Sequence, residues 1–116
     1  MEEQTQQEKT FITYADFMKV NLRIGRILEA GPHPNADKLM VLKVDLGEKV
    51  IQLVAGIRTA YTPEELPGRE IVVVENLEPK PLRGVESQGM LLAASVDGKP
   101  VLLTPEKDVV PGTQVK

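Results

Sequence analysis

The sequence predicts an all-β fold of five or six short strands in a small closed or partly closed barrel. Three observations support this prediction. Apolar and polar residues alternate along short segments, a pattern typical of half-buried strands. Pairs of residues that contain glycine or proline separate these segments and predict tight turns. The length of 116 residues allows one domain with its own core but not two.

Composition excludes several classes of function. The chain has no cysteine and one histidine, which excludes disulfide frameworks, thiol catalysis and multi-histidine metal sites. The net charge of −3 argues against indiscriminate binding of polyanions, although a local basic patch can still bind them. The longest apolar run, Met90 to Ala94, is far too short to span a membrane. Because residues 1 to 10 show no basic or apolar secretion signal, we expect a cytoplasmic protein without membrane contact.

The N-terminal part predicts a polar tail, one short helix and a bent first strand. Residues 1–10 are polar and we expect them to be flexible. Thr13 followed by an acidic residue three positions later predicts a helix N-cap, with the helix over about Tyr14 to Met18. Alternation then begins at Val20 and slips in phase at Gly25. A glycine at such a slip predicts a bulge that bends the strand.

The remaining segments complete the barrel. The Gly47-Glu48 turn predicts a hairpin between two strands, and Thr62, a proline and Glu65 predict a short helix beginning after the third strand. Asp97-Gly98 predicts a second hairpin turn. The strands predicted after the first are Leu39–Leu46, Val50–Ala55, Ile71–Glu75, Gln88–Val96 and Val101–Leu103, and Pro105–Lys116 is predicted as irregular chain.

This count and order fit a five-stranded OB-fold barrel over residues 11–116. The short helix lies between strands 3 and 4, and short extensions precede and follow the barrel. Another small antiparallel barrel is the alternative that the pattern leaves open.

Two predicted loops combine cations with polar side chains at strand ends. They run from His33 to Leu39 and from Asn76 to Met90, and in an OB-fold such loops flank one binding face. Lysine and arginine there would bind phosphate, amide and hydroxyl groups would form hydrogen bonds, and a methionine would contact a base or ribose. The candidate site residues are Asn35, Lys38, Lys80, Arg83, Ser87 and Met90.

Four of these candidates also have a simpler interpretation. The lysines could be solvated loop charges, Ser87 a turn cap and Met90 a core residue. His33, between two prolines, is expected to be an exposed loop residue. Basic side chains on other elements could extend the patch, namely Arg23, Arg26 and Arg58.

Catalysis has little support in the sequence. The segment Val85 to Gly89 resembles a nucleophile elbow only loosely, and the parallel sheet that such an elbow needs is absent from the predicted strand order. No phosphate-binding glycine loop occurs. We expect no independent enzymatic activity, no cofactor and no metal.

Four separated segments resemble the tRNA-binding OB-fold family. They are His33 to Leu39 (HPNADKL), Leu53 to Ile57 (LVAGI), Tyr61 to Leu66 (YTPEEL) and Ser87 to Ala93 (SQGMLLA). That family includes the C-terminal domain of bacterial methionyl-tRNA synthetases, stand-alone tRNA-binding proteins and domains of eukaryotic synthetase cofactors. The resemblance covers about Ile12 to Lys116.

The resemblance implies a homodimer that grips the outer corner of the L-shaped tRNA and recognises shape more than sequence. It assigns tRNA contacts to Lys38, Ser87 and Met90, with supporting contacts from Asn35, Lys80 and Arg83. Pro81 departs from the basic or polar residue common in relatives, so the basic cluster is expected to be thinner here.

Three biological roles are compatible with the resemblance. The first role is that of the tRNA-binding β-subunit that accompanies a methionyl-tRNA synthetase catalytic chain. The second is that of a free-standing tRNA-binding protein. The third role is that of a dimeric export-related chaperone of the same fold, which binds unfolded polypeptide and would need an apolar groove.

Overall fold

The computed structural model describes residues 10–116 of the chain. The predicted flexible tail, residues 1–10, therefore lies outside the described residues except for its last position. The secondary structure is almost entirely β. In chain order the elements are α1 (Tyr14–Phe17), β1 (Leu22–Pro32), β2 (Met40–Asp45), β3 (Val50–Ala55), a 3-10 helix (Pro63–Glu65), β4 (Glu70–Val74), β5 (Lys80–Leu82), β6 (Val85–Ser87), β7 (Met90–Leu91), β8 (Ala93–Val96), β9 (Lys99–Leu102) and β10 (Gln114–Val115).

The main sheet curls into a nearly closed barrel. Its strand order is β3-β2-β1-β4-β7, with all neighbours antiparallel. The gap between β3 and β7 is bridged by Gln88, whose backbone N–H donates to the Gln52 carbonyl at 2.8 Å. The Gln88 side-chain oxygen accepts from the Gln52 N–H at 2.7 Å. These bonds confirm the predicted five-stranded OB-fold barrel.

The first strand pairs on both halves of the barrel. Its first half pairs with β4 and its second half with β2. The position of the bulge was predicted wrongly, because the register shifts between Ile27 and Glu29 rather than at Gly25. Gly25 is instead needed for packing, because a Cβ added at this position would lie 2.5 Å from Val44 Cγ1. The Val44 side chain fills the space beside Gly25, so a side chain at this position would force the core to shift.

Both predicted helix starts are confirmed in position. Thr13 Oγ1 accepts from the Asp16 N–H at 2.9 Å and caps α1. Glu65 Oε2 accepts from the Thr62 N–H at 2.8 Å, so the second capping signal also forms, although it begins a 3-10 turn between β3 and β4. Leu66, which follows this turn, is fully buried in the core.

The predicted fifth strand is wrong in its extent. Only Met90–Leu91 joins the main sheet, while Ala93–Val96 pairs with β9 in a separate hairpin. The segment before it, predicted as a loop, contains the β5–β6 hairpin. Its turn residues Arg83 and Gly84 both have positive φ, 54° and 91°, as a two-residue type I′ turn requires.

The core is formed by alternate residues of the barrel strands. In β2 the burial alternates strictly between buried and half-buried positions, as expected for a strand with one face inside. The fully buried side chains are Ile27, Met40, Leu42, Val44, Leu53, Ile57, Leu66, Ile71 and Val73.

Candidate functional site

The loop between β1 and β2 is held in shape by its own backbone. The His33 N–H donates to the Leu39 carbonyl at 3.1 Å, and the Leu39 N–H donates to the Ala36 carbonyl at 3.3 Å. The carbonyl of Lys38 accepts from the Arg58 N–H at 3.3 Å. Asn35 and Lys38 are exposed on this ordered loop, so both side chains are available to a ligand.

The β5–β6 hairpin brings the other two cations to the same end of the barrel. Lys80 and Arg83 are exposed, and the turn conformation of Arg83 places it at the hairpin tip. Arg83 lines a surface cleft of 480 Å³ together with Asn35 and Lys38. Within residues 10–116, no carboxylate forms an ion pair with Lys38, Lys80 or Arg83. Their charges are therefore free to bind an anion.

A second and larger cleft also borders the hairpin. It has a volume of 650 Å³, and Lys80, Ser87 and Met90 contribute to its wall. The rest of the wall is mainly apolar and includes Val54, Leu77, Leu82 and Leu91. The structure thus divides the six predicted site residues between two clefts that share the β5–β6 hairpin.

Met90 is a surface residue. Its side chain is 48% exposed, whereas the next residue, Leu91, is 9% exposed and packs in the core. The interpretation of Met90 as a core residue is therefore wrong. Alternation along β7 explains the difference, because successive side chains in a strand point to opposite faces.

Ser87 is buried and its hydroxyl is occupied within the fold. It is 5% exposed, accepts from the Val54 N–H at 3.0 Å and donates to the Gly89 carbonyl at 2.9 Å. The hydroxyl therefore joins β6 to β3 where the barrel closes. A direct contact of Ser87 with RNA stays a prediction.

His33 was expected on the surface, and this expectation is wrong. The residue is 3% exposed. Its Nδ1 accepts from the Asn35 N–H at 2.9 Å, and its Nε2 lies 2.9 Å from the Leu82 carbonyl oxygen. Both partners of the ring are backbone groups, the Asn35 N–H and the Leu82 carbonyl, so the residue types in the loop gave no signal for this role.

Two arginines considered for the patch are engaged inside the fold instead. Arg23 pairs with Glu75 at 3.2 Å and donates to the Gly112 carbonyl at 2.9 Å, while Arg26 pairs with Glu70 at 2.8 Å. Arg23 also lies at the opposite end of β1 from the His33 loop. Arg58 is half-buried and donates to the Asp37 carbonyl at 3.3 Å, so it supports the loop.

These ion pairs perturb their carboxylates. A hydrogen bond from Lys49 holds the pKa of Glu75 below its ordinary value, although burial opposes this effect, and Arg23 lowers the pKa further. Burial raises the pKa of Glu70, but hydrogen bonds from Arg26 and the Val109 N–H, with the Arg26 charge, outweigh it. The pKa of Glu70 therefore also lies below the ordinary 4.5. Both carboxylates are structural anions.

The described part of the chain offers no alternative centre for metal chemistry. Residues 10–116 contain no group of three or more histidine, aspartate or glutamate side chains that could hold a metal ion. No helix among these residues is long and apolar enough to cross a membrane.

The fold and the paired loops define a small OB-fold barrel with a cationic and partly apolar surface at one end. The model of the family described as "Putative tRNA binding domain" matches residues 22–114. The chain belongs to this tRNA-binding domain family.

Curated relatives at high identity are methionine–tRNA ligases. The chain is 53% identical to the enzyme of Pyrococcus furiosus over 115 residues, which is 99% of this chain and 16% of that protein. It is 51% identical to the enzyme of Archaeoglobus fulgidus over 109 residues, 94% of this chain and 17% of that protein. The chain thus spans about a sixth of the length of the ligases that it matches.

Solved structures match over almost their full length. A MetRS-related protein from Pyrococcus horikoshii superimposes with a TM-score of 0.88 at 36% identity, covering 93% of this chain and 100% of that one. The chaperone CsaA from Bacillus anthracis superimposes with a TM-score of 0.85 at 33% identity, covering 92% of this chain and 100% of that one. The same barrel therefore occurs in a MetRS-related protein and in a chaperone.

Proposed function

We propose that this chain binds folded tRNA through the two loops at one end of its barrel. The observation that supports this most strongly is the set of three exposed cations, Lys38, Lys80 and Arg83, which line two clefts beside one hairpin and have no carboxylate partner among residues 10–116. Phosphate contacts supply most of the affinity of proteins for nucleic acids. The membership of the chain in the tRNA-binding domain family identifies the RNA class.

The binding is selective for the shape of folded tRNA. Single strands are held mainly by stacking of bases on aromatic side chains. Neither loop contains Phe, Tyr or Trp, and the ring of His33 is buried. Tyr61, the aromatic residue nearest to the core, is already used: Arg69 lies over its ring and its hydroxyl accepts from the Leu102 N–H. Cations placed at fixed positions instead read the spacing of phosphates on a rigid RNA surface.

A competition experiment tests this proposal. A labelled tRNA bound to the protein is challenged with an unrelated tRNA, with a single-stranded RNA of equal length, and with a reduced unfolded protein. The unrelated tRNA should compete almost as well as the labelled one, and the single strand should compete poorly. Equal competition by the single strand would refute selectivity for folded tRNA.

We also propose that the protein acts as a symmetric dimer. Doubling the face doubles the small number of cations in each chain, and paired isologous subunits are the commonest oligomers. Large apolar side chains stand exposed for such an interface: Phe11 is 87%, Tyr14 76% and Val110 74% exposed. A sedimentation mass near 12.8 kDa at micromolar concentration would contradict the dimer.

The chain further serves, in this proposal, as a non-catalytic tRNA-binding part of a methionyl-tRNA synthetase. About half of the residues of this chain are identical to a segment that makes up about one sixth of each ligase. This similarity supports the role. A free-standing tRNA-binding protein is the other form of the same function. Purification of the native protein, followed by identification of what is bound to it, distinguishes the two.

Binding of unfolded polypeptide is the second candidate function. The apolar cleft of 650 Å³ is the kind of groove that a chaperone of this fold needs, and the similarity to CsaA favours it. In the competition experiment, displacement of tRNA by the unfolded protein alone, and not by a second tRNA, would support this function instead.

A further inference from the structure

The ring of His33 has both nitrogens engaged in a buried site. The Leu82 carbonyl can only accept, so Nε2 carries the proton and donates to it at 2.9 Å. Nδ1 is then the acceptor for the Asn35 N–H at 2.9 Å. With 3% exposure, the ring is a neutral connector whose two hydrogen bonds define its tautomer.

The two partners belong to the two parts of the candidate site. Asn35 lies in the β1–β2 loop with Lys38, and Leu82 immediately precedes Arg83 at the hairpin tip. The β5–β6 hairpin forms its own two-stranded sheet, separate from the main one. Its base is tied to β3 by Gln52, whose side-chain amide donates to the Glu86 carbonyl at 2.8 Å. At the tip, His33 supplies the bond to the neighbouring loop.

We propose that His33 is a positioning residue that fixes the distance between Arg83 and the cation of the β1–β2 loop. This inference rests on the proposed tRNA binding. A rigid RNA presents phosphates at fixed spacing, so two loops that are held together engage it without a further loss of conformational freedom. When the connection is lost, the hairpin tip samples several positions and the Arg83 contact weakens, although His33 itself does not touch RNA.

Two substitutions separate the two hydrogen bonds of the ring. His33→Asn retains an acceptor near the position of Nδ1 and loses the donor to Leu82. His33→Gln retains a donor near the position of Nε2 and loses the acceptor for Asn35. The connection between the loops is therefore removed in the first variant and kept in the second.

Affinity for tRNA and its salt dependence are measured for both variants, alone and combined with Arg83→Ala. His33→Asn should weaken binding about tenfold and lower the slope of log affinity against log salt by about 0.7–0.9, the loss of one phosphate contact. In the His33→Asn background, Arg83→Ala should then reduce the tRNA affinity only slightly further. In the His33→Gln background, Arg83→Ala should reduce the tRNA affinity as much as it does in the wild type.

Several results would overturn the proposal. One is an unchanged salt slope in His33→Asn, since a purely structural role leaves the number of phosphate contacts the same. Another is an equal cost of Arg83→Ala in the wild type and in His33→Asn, which shows that the two residues are not coupled.

The proposal stays testable if His33→Asn does not fold. In that case the proposal is contradicted if Arg83→Ala reduces the tRNA affinity less in the His33→Gln background than in the wild type. A nitrogen NMR spectrum of the wild type that shows the proton of His33 on Nδ1 also contradicts it. A wild type that does not bind tRNA removes both this inference and the proposed function, whereas binding combined with uncoupled variants removes the inference alone.

Discussion

Replacing Ser87 by alanine separates a structural role from an RNA contact at the most buried of the candidate site residues. The hydroxyl links β6 to β3 through the Val54 N–H and the Gly89 carbonyl. In Ser87→Ala the Val54 N–H stays buried without a partner. We therefore expect the main effect on the stability of the barrel and only a secondary effect on binding.

The expected magnitude follows from the two lost bonds. A stranded buried N–H costs about 1–3 kcal/mol, and the second neutral hydrogen bond about 0.5–1.5 kcal/mol. The free energy of unfolding should fall by about 1.5–4.5 kcal/mol, which lowers the melting temperature of a domain of this size by roughly 4 °C for each kcal/mol. Urea unfolding at 25 °C measures the change, and tRNA affinity is measured where both proteins are fully folded.

Ser95 provides the matched control, because it is exposed on β8. Ser95→Ala should change the free energy of unfolding by less than about 0.5 kcal/mol. Wild-type stability of Ser87→Ala together with weaker tRNA binding would refute this reasoning, and it would establish a direct contact between the hydroxyl and RNA.

Three further predictions concern other residues. Met90→Ala should weaken tRNA binding and leave the unfolding free energy almost unchanged, because the side chain is half exposed; its neighbour Leu91→Ala should cost about 2–5 kcal/mol in urea unfolding. Glu70→Gln should be about 1.5–3 kcal/mol less stable at pH 7. Because the pKa of Glu70 is lowered, the carboxylate stabilises the fold above pH 4.5 and loses this effect as the pH falls through its folded pKa; the difference from the wild type should shrink in acid-unfolding curves below pH 4.5. Gly25→Ala should cost about 1–3 kcal/mol in thermal unfolding, because its Cβ would meet Val44.

The barrel could be predicted from the sequence because its signals are local. Alternation, the Asp97-Gly98 turn and the capping residues Thr13 and Thr62 each describe a few adjacent positions, and all agree with the structure. The residue types at the strand ends then placed the candidate residues on two loops, which the fold brings to one end.

What could not be predicted depends on contacts between distant segments. The burial of His33 requires the Leu82 carbonyl 49 positions away, and no local pattern reports such a partner. The sequence shows that Gly25 lacks a side chain but not that the Val44 side chain fills the space beside it. A positive φ is uncommon for residues other than glycine, asparagine or aspartate. Because Arg83 has a positive φ in its turn, the sequence of the β5–β6 hairpin gave no recognisable turn signal.

The salt dependence of tRNA affinity tests the central claim most directly. Lys38, Lys80 and Arg83 are replaced together by alanine, and a control variant carries Lys99→Ala and Lys107→Ala, which remove exposed lysines outside both loops. The account predicts that the loop variant loses about 2–2.7 units of the slope of log affinity against log salt, three phosphate contacts, and that the control keeps nearly the wild-type slope. Equal slopes in the loop variant and the wild type, with both proteins folded, would contradict the account, because tRNA would then bind elsewhere on the molecule.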